Sequence, residues 1–185
     1  MLNMSAKGDR TMIYYKDKNI IIRPMKESDC DKFTEGFKEQ KWDKPYEQFI
    51  SYYNQQENGE RKVIVAEIGG EVAGYTTLFS GADHGPFAGK NIPEIVDFNV
   101  LIKYQGKGIG NKILDVAENL AIETSDVVTL GVGLHHGYGS AQRIYVKRGY
   151  IPDGSGVWFN NTQLEQYVSC ENNDDLILYL SKTLK

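Results

Sequence analysis

Three glycines at alternate positions, Gly106, Gly108 and Gly110, separate an apolar, β-branched stretch at 94–104 from an amphipathic stretch at 110–123. The first reads as a strand. The second reads as a helix, with Ile113, Leu114, Ala117, Leu120 and Ala121 on one face. A strand that passes through glycines into a helix commits the chain to an α/β arrangement. It also makes an anion site, because amides without side chains can approach a phosphate at the positive end of the helix dipole. Phosphate or pyrophosphate is the natural guest.

Two common nucleotide loops do not fit. A P-loop ends in Gly-Lys-Ser/Thr, whereas this loop runs Gly110-Asn111-Lys112. A dinucleotide fingerprint reads GxGxxG and places an acid at the end of the next strand; here the loop is GxGxG and Gly133-Leu134 stand at that end. A tight turn without a ligand is the remaining alternative.

Around this centre the elements follow in a simple order. Ile20 to Ile22 form a short strand ended by Arg23-Pro24, and Ser28 is placed to cap a helix through Phe33 and Phe37. A second helix starts near Pro45 and stops before Asn58-Gly59, with Tyr46, Phe49, Tyr52 and Tyr53 as an aromatic face for packing on a sheet. Strands at 63–68 and 72–79 are joined by Gly69-Gly70-Glu71, and a glycine-rich loop occupies 80–93. Beyond the central helix come a strand at 127–134, a helix at 139–148 and a strand from Tyr150. That strand breaks at Asp153-Gly154 and resumes at Val157-Trp158-Phe159. A polar arm at 160–175 leads to a last strand at 176–180, apolar at every position and so suited to burial on both faces. Residues 1–12 read as a flexible leader and 13–185 as one domain.

Composition narrows the class. With 185 residues, 41% hydrophobic and 25% charged, the chain reads as one soluble globular domain. A formal net charge of -4, with Lys and Arg dispersed, argues against a nucleic-acid partner. Cys30 and Cys170 lack CxxC or Cys/His neighbours, which fits a reducing compartment and predicts no metal site. No apolar run approaches the ~20 residues needed to span a bilayer, and 1–10 has no signal-peptide core. A cytoplasmic protein without a membrane partner is expected.

Two motifs then carry a resemblance. Gln105-Gly106-Lys107-Gly108-Ile109-Gly110 resembles the (Gln/Arg)-x-x-Gly-x-(Gly/Ala) pyrophosphate loop of the GNAT superfamily of N-acetyltransferases. Ala141, Ile144, Tyr145, Gly149 and Tyr150 resemble its Ala-x-x-Leu-Tyr-x-x-x-Gly-Phe segment, at the expected separation. Ile20 to Pro24 and Ala73-Gly74-Tyr75 are similar to two of its strands, so the likeness covers residues 20–181. Two positions depart from it: Tyr138 replaces an Asn before the second motif, and Ile102 replaces a Pro before the loop.

The resemblance implies a GNAT fold, a mixed central β-sheet of about seven strands flanked by about four helices. It implies acetyl-CoA as co-substrate, with backbone groups of Phe98, Asn99 and Val100 pairing with the pantetheine arm. The amides of Gln105, Gly106, Lys107, Gly108, Ile109, Gly110 and Asn111 would hold the pyrophosphate, and no metal is needed. The implied reaction moves an acetyl group to a primary amine of a small molecule by direct attack in a ternary complex. Alternatives are a protein or peptide N-acetyltransferase and a non-catalytic acyl-CoA-binding regulatory module. No motif selects the acceptor or the acyl length, and the oligomeric state is unread, a homodimer being one option.

Such a transfer needs a base for the ammonium, stabilisation of the oxyanion and an acid for the leaving thiolate. Tyr145 matches the family's usual acid. For the base, Glu94 and Asp97 lie an odd number of residues apart, so an unbulged strand sends them to opposite faces. By resemblance Glu94 is the choice. His135 and His136, after the next strand, are reserves, and His84, with Asp83 in the loop before Glu94, is a further acceptor-side candidate.

Overall fold

The computed structural model describes residues 12–185. The expected leader, except for Met12, lies outside the described residues.

The chain opens with a hairpin of β1 (Tyr15–Lys16) and β2 (Ile21–Pro24), then α1 (Asp29–Glu39) and α2 (Tyr46–Glu57). A second hairpin follows, β3 (Arg61–Ile68) and β4 (Glu71–Phe79). Next come β5 (Glu94–Val100), α3 (Ile109–Ala121), β6 (Val127–Gly133), α4 (Gly139–Lys147), β7 (Ile151–Phe159), β8 (Thr162–Gln163) and β9 (Leu176–Thr183). All the strands form one sheet in the order β1-β2-β3-β4-β5-β6-β9-β7-β8. Every neighbouring pair is antiparallel except β5 and β6.

The mixed sheet and four helices are those expected. Among the described residues nine strands replace about seven, because β1 and β8 are two-residue ladders, too short to leave a periodic pattern. The β3–β4 turn is the two-residue Gly69-Gly70, with φ of 59° and 86°, the conformation that only glycine adopts freely in such hairpins.

Each face of the sheet carries its own core. On one face α3 buries Ile113, Leu114 and Ala117 against Ile22, Ile64, Val128 and Leu130, the stripe read from its periodicity. On the other, α1 and α2 enclose Phe33, Phe37 and Phe49 against Tyr75. The aromatic face of α2 divides: Phe49 is fully buried, whereas Tyr46 is exposed.

Three local expectations are corrected. Ser28 has helical dihedrals and makes no side-chain cap; Asp29 instead accepts the Lys26 N–H at 2.8 Å. That carboxylate also takes two bonds from Arg23, at 2.6 and 2.9 Å, tying β2 to α1 in the interior. The strand expected at 94–104 ends at Val100, and Ile102–Tyr104 form a single 3-10 turn. β9 runs on to Thr183 and is only half-buried at Leu176, Ile177 and Leu178, of which Ile177 lines a cleft.

Candidate active site

The cleft begins at a fault in β5. Tyr75 pairs with Asn99 and Thr77 with Val96, so two residues of β5 oppose one of β4. The extra residue is Asp97, held at φ 53°, a left-handed conformation that Asp tolerates better than most side chains. β5 pairs with β6 only through Glu94–Thr129 and Ile95–Leu130, and beyond these the two parallel strands part. The gap is a cleft of about 1110 Å³, lined by Phe98 and Val100 on β5, Gly131 to Gly133 on β6, and Ala141, Ile144 and Tyr145 on α4.

The glycine loop closes one end. Gly106 and Gly108 have φ of 73° and 77°, and Gly108 caps α3. The first bond of the helix runs from the Lys112 N–H to the Gly108 carbonyl, at 3.3 Å. The amides of Ile109, Gly110 and Asn111 therefore have no partner within the helix. Gly110 is glycine for a different reason: a Cβ there would stand 2.9 Å from Cζ of Phe98. Its absence lets the helix end sit directly on β5. The Gln105 side chain turns back and donates to the Val100 carbonyl at 2.9 Å, pinning the loop to the strand.

Tyr145 lines the cleft from α4 while only 5% exposed. Its ring packs against Phe98 and Tyr150, at 6.2 and 5.7 Å between centroids. Burial, with smaller contributions from Tyr138 and Asp97, pushes its phenol well above the usual value, so it stays protonated at neutral pH.

The two strand carboxylates share a face, against the alternation expected of an unbulged strand. Glu94 pairs with Phe79 and Asn99 with Tyr75, both on the α1–α2 side. The extra residue sends Asp97 to that side as well. There Asp97 accepts bonds from Lys44 Nζ (2.7 Å), Asn99 Nδ2 (2.7 Å), Tyr52 Oη (3.0 Å), Gln48 Nε2 (3.1 Å) and the Tyr75 hydroxyl. Five donors saturate a carboxylate. Glu94 is its opposite. It is 8% exposed, and burial, with the charge of Asp83, raises its carboxyl to about 7. Glu94 is not among the residues lining the cleft, although its neighbour Ile95 is.

Of the reserve histidines, His135 is engaged. Its Nδ1 accepts the Gly137 N–H at 3.1 Å, so Nε2 carries the proton and donates to Asp174 Oδ1 at 2.9 Å. Tyr138 donates its hydroxyl to the same oxygen at 3.0 Å. The Tyr138 ring covers Gly133, where a Cβ would lie 2.3 Å from it; this is how the departure at 138 reshapes the cleft beside α4. His136 is exposed at the cleft wall, and His84 is exposed on the 80–93 segment. Among the described residues no group of three or more His, Cys, Asp or Glu is disposed to hold a metal ion, and no helix is long and apolar enough to cross a membrane.

Sequence reasoning did not find Lys44, Gln48 or Asp174. Each reaches the site across a separation of 36 residues or more, and none belongs to a motif.

The fold recurs in solved structures. An N-acetyltransferase from Staphylococcus aureus Mu50 superposes with a TM-score of 0.67 at 17% identity, over 91% of this chain and 100% of its own. The yncA protein of Salmonella typhimurium, solved with its cofactor acetyl-CoA, gives 0.66 at 18%, over 91% and 95%. A Salmonella typhimurium acetyl transferase that modifies the N-terminal serine of ribosomal protein L7/L12 gives 0.68 at 11%, over 93% and 99%. No protein of curated function matches the sequence. Residues 23–150 match the acetyltransferase (GNAT) family model. With more than half of its length matched and the parted strands, glycine loop and α4 tyrosine in place, the chain belongs to the GNAT acetyltransferase family.

Proposed function

We propose that this protein transfers an acetyl group from acetyl-CoA to the primary amine of a small molecule. The observation that carries the reading is the cleft itself. Unpaired helix amides, a protonated tyrosine and the bulge of β5 all border it.

The residues present fit acetyl-CoA. Free amides over 106–111 and the dipole of α3 suit a pyrophosphate. The missing Cβ at Gly110 keeps its approach open, and Phe98, Val100 and Ile144 suit an aliphatic arm. Phe98, Asn99 and Val100 lie beyond the β5–β6 ladder, and their backbone groups that neither β4 nor Gln105 already takes are open to that arm. Acetyl-CoA would supply an acyl group activated on sulfur.

The rest is done by the chain. Glu94, poised near 7, takes the proton of the acceptor ammonium through water, since it stands just behind the cleft wall. Tyr145 holds its proton at neutral pH and gives it to the departing sulfur. Asp97 is no candidate for the base, because its five donors leave no lone pair for an incoming proton. The small-molecule reading is supported by the acceptor side of the sheet. The 80–93 segment lays Ala82 and Phe87 over Tyr179, and residues 42–44 edge the cleft, leaving little open groove for an extended peptide.

Release of free thiol from acetyl-CoA against a panel of amines, with products identified by mass spectrometry, tests the reading. Acetylated small amines are expected. Transfer only to peptides would redirect it to a protein acetyltransferase, and binding without any transfer would make the chain an acyl-CoA-binding module.

A further inference from the structure

Residues 40–45 connect α1 to α2; Trp42 stacks on Phe37 but stays exposed, and Lys44 alone of 41–45 is half-buried. Its ammonium ends 2.7 Å from Asp97 Oδ1 and 3.1 Å from the Tyr75 hydroxyl. It also lies 5.4 and 5.7 Å from the ring centroids of Phe37 and Tyr75, within cation–π range. The side chain is 19% exposed, and both Lys44 and Asp97 line the cleft. A primary ammonium on an unbranched alkyl stem is thus already seated at the bulge of β5, on the sheet face that carries Glu94.

We infer that this cage of Asp97, Tyr75 and Phe37 is the seat of the acceptor amine, and that Lys44 is a built-in stand-in which the acceptor displaces. The inference rests on the acetyltransferase reading and sharpens it, since it names the acceptor class: an alkyl primary ammonium.

The hydrogen bonding of Asp97 supports displacement. Four neutral donors, on Gln48, Tyr52, Tyr75 and Asn99, hold the carboxylate from α2, β4 and β5. Lys44 adds the one full positive charge, and it comes from a connection rather than from the sheet. Exchanging its ammonium for another leaves every other bond intact and Asp97 still neutralised. A buried carboxylate is costly only when its cation leaves unreplaced.

The test is calorimetric titration of the ligand-free protein with n-butylammonium, and with 1-butanol as the uncharged control. Lys44→Ala should bind butylammonium at least tenfold more tightly than the parent and ignore butanol, and adding Asp97→Asn should abolish that binding. Lys44→Met, which keeps the stem and loses the charge, serves if the alanine variant does not fold. With acetyl-CoA present, the Lys44 variant should acetylate butylamine with KM at least tenfold below the parent's. Equal butylammonium affinity in parent and variants overturns the inference. So does bound butylamine that is never acetylated by a protein that acetylates other amines. Failure to acetylate any amine overturns the acetyltransferase reading, and the inference with it.

Discussion

Glu94 and Asp97 face the same side of the sheet because Asp97 is itself the extra residue of the β5 bulge. One is buried without a cation and held near 7, and the other is saturated by five donors. Their chemistry is therefore divided: Glu94 is free to exchange a proton and Asp97 is fixed in place.

Glu94→Gln should lower kcat by ~10²-fold or more, the scale of general base catalysis. In the parent, activity should rise with pH through about 7 as the carboxyl ionises, and the variant should lack that inflection. Stability moves the other way. A carboxyl whose folded value is raised from 4.5 to about 7 favours the fold at low pH and loses that advantage as pH rises through 7. The variant should melt above the parent at pH 8 and level with it near pH 4.

Tyr145→Phe keeps the ring contacts with Phe98 and Tyr150 and removes only the hydroxyl. Turnover should fall by ~10²-fold or more, with acetyl-CoA affinity and melting temperature close to the parent's. Turnover within twofold of the parent on the true acceptor would make Tyr145 a packing residue.

Gly108 and Gly110 should fail for separate reasons. Gly108→Ala meets no neighbour but must hold φ 77°, a strain of ~1–2 kcal/mol read as a lower melting temperature. Gly110→Ala drives a methyl into the Phe98 ring. It should abolish the stabilisation by acetyl-CoA, which in the parent is worth ~2.7 kcal/mol at 100 times the dissociation constant and is read as a rise in melting temperature.

Arg23→Met should destabilise by ~3–5 kcal/mol in chemical denaturation, since it leaves Asp29 buried without its cation. The side chains of Arg23 and Asp29 are 4% and 2% exposed, and Arg23 also holds Glu67 at 2.7 Å. A loss below 1 kcal/mol would mean that water replaces the guanidinium.

What was legible in the sequence was what repeats locally. The stripe of α3 has a helical period, Gly69-Gly70 announce a hairpin, and Gly106, Gly108 and Gly110 mark a backbone that side chains would obstruct. The bulge was not legible, because Asp97 departs from alternation at one residue and a single aspartate in a strand carries no periodic signal. The company it keeps was hidden for another reason: Lys44 and Gln48 meet it across 53 and 49 residues, through tertiary packing alone. Ser28 shows the converse error. Its residue type suits a cap, but its dihedrals are helical and it makes no cap bond; Asp29 beside it holds the preceding turn through the Lys26 N–H and pairs with Arg23.

The position of β9 has a consequence for how the chain is made. It fills the slot between β6 and β7, and it pairs with β6 from Val127–Thr183 to Gly133–Ile177. During synthesis, β6 emerges well before its antiparallel partner and waits with a bare edge of unpaired amides and carbonyls. The nascent chain can assemble β1 to β5 early, but the half of the sheet beyond β6 closes only when residue 183 has left the ribosome. A stall that leaves β6 outside the ribosome while β9 is still within it should therefore feed aggregation, whereas release of the full chain should not.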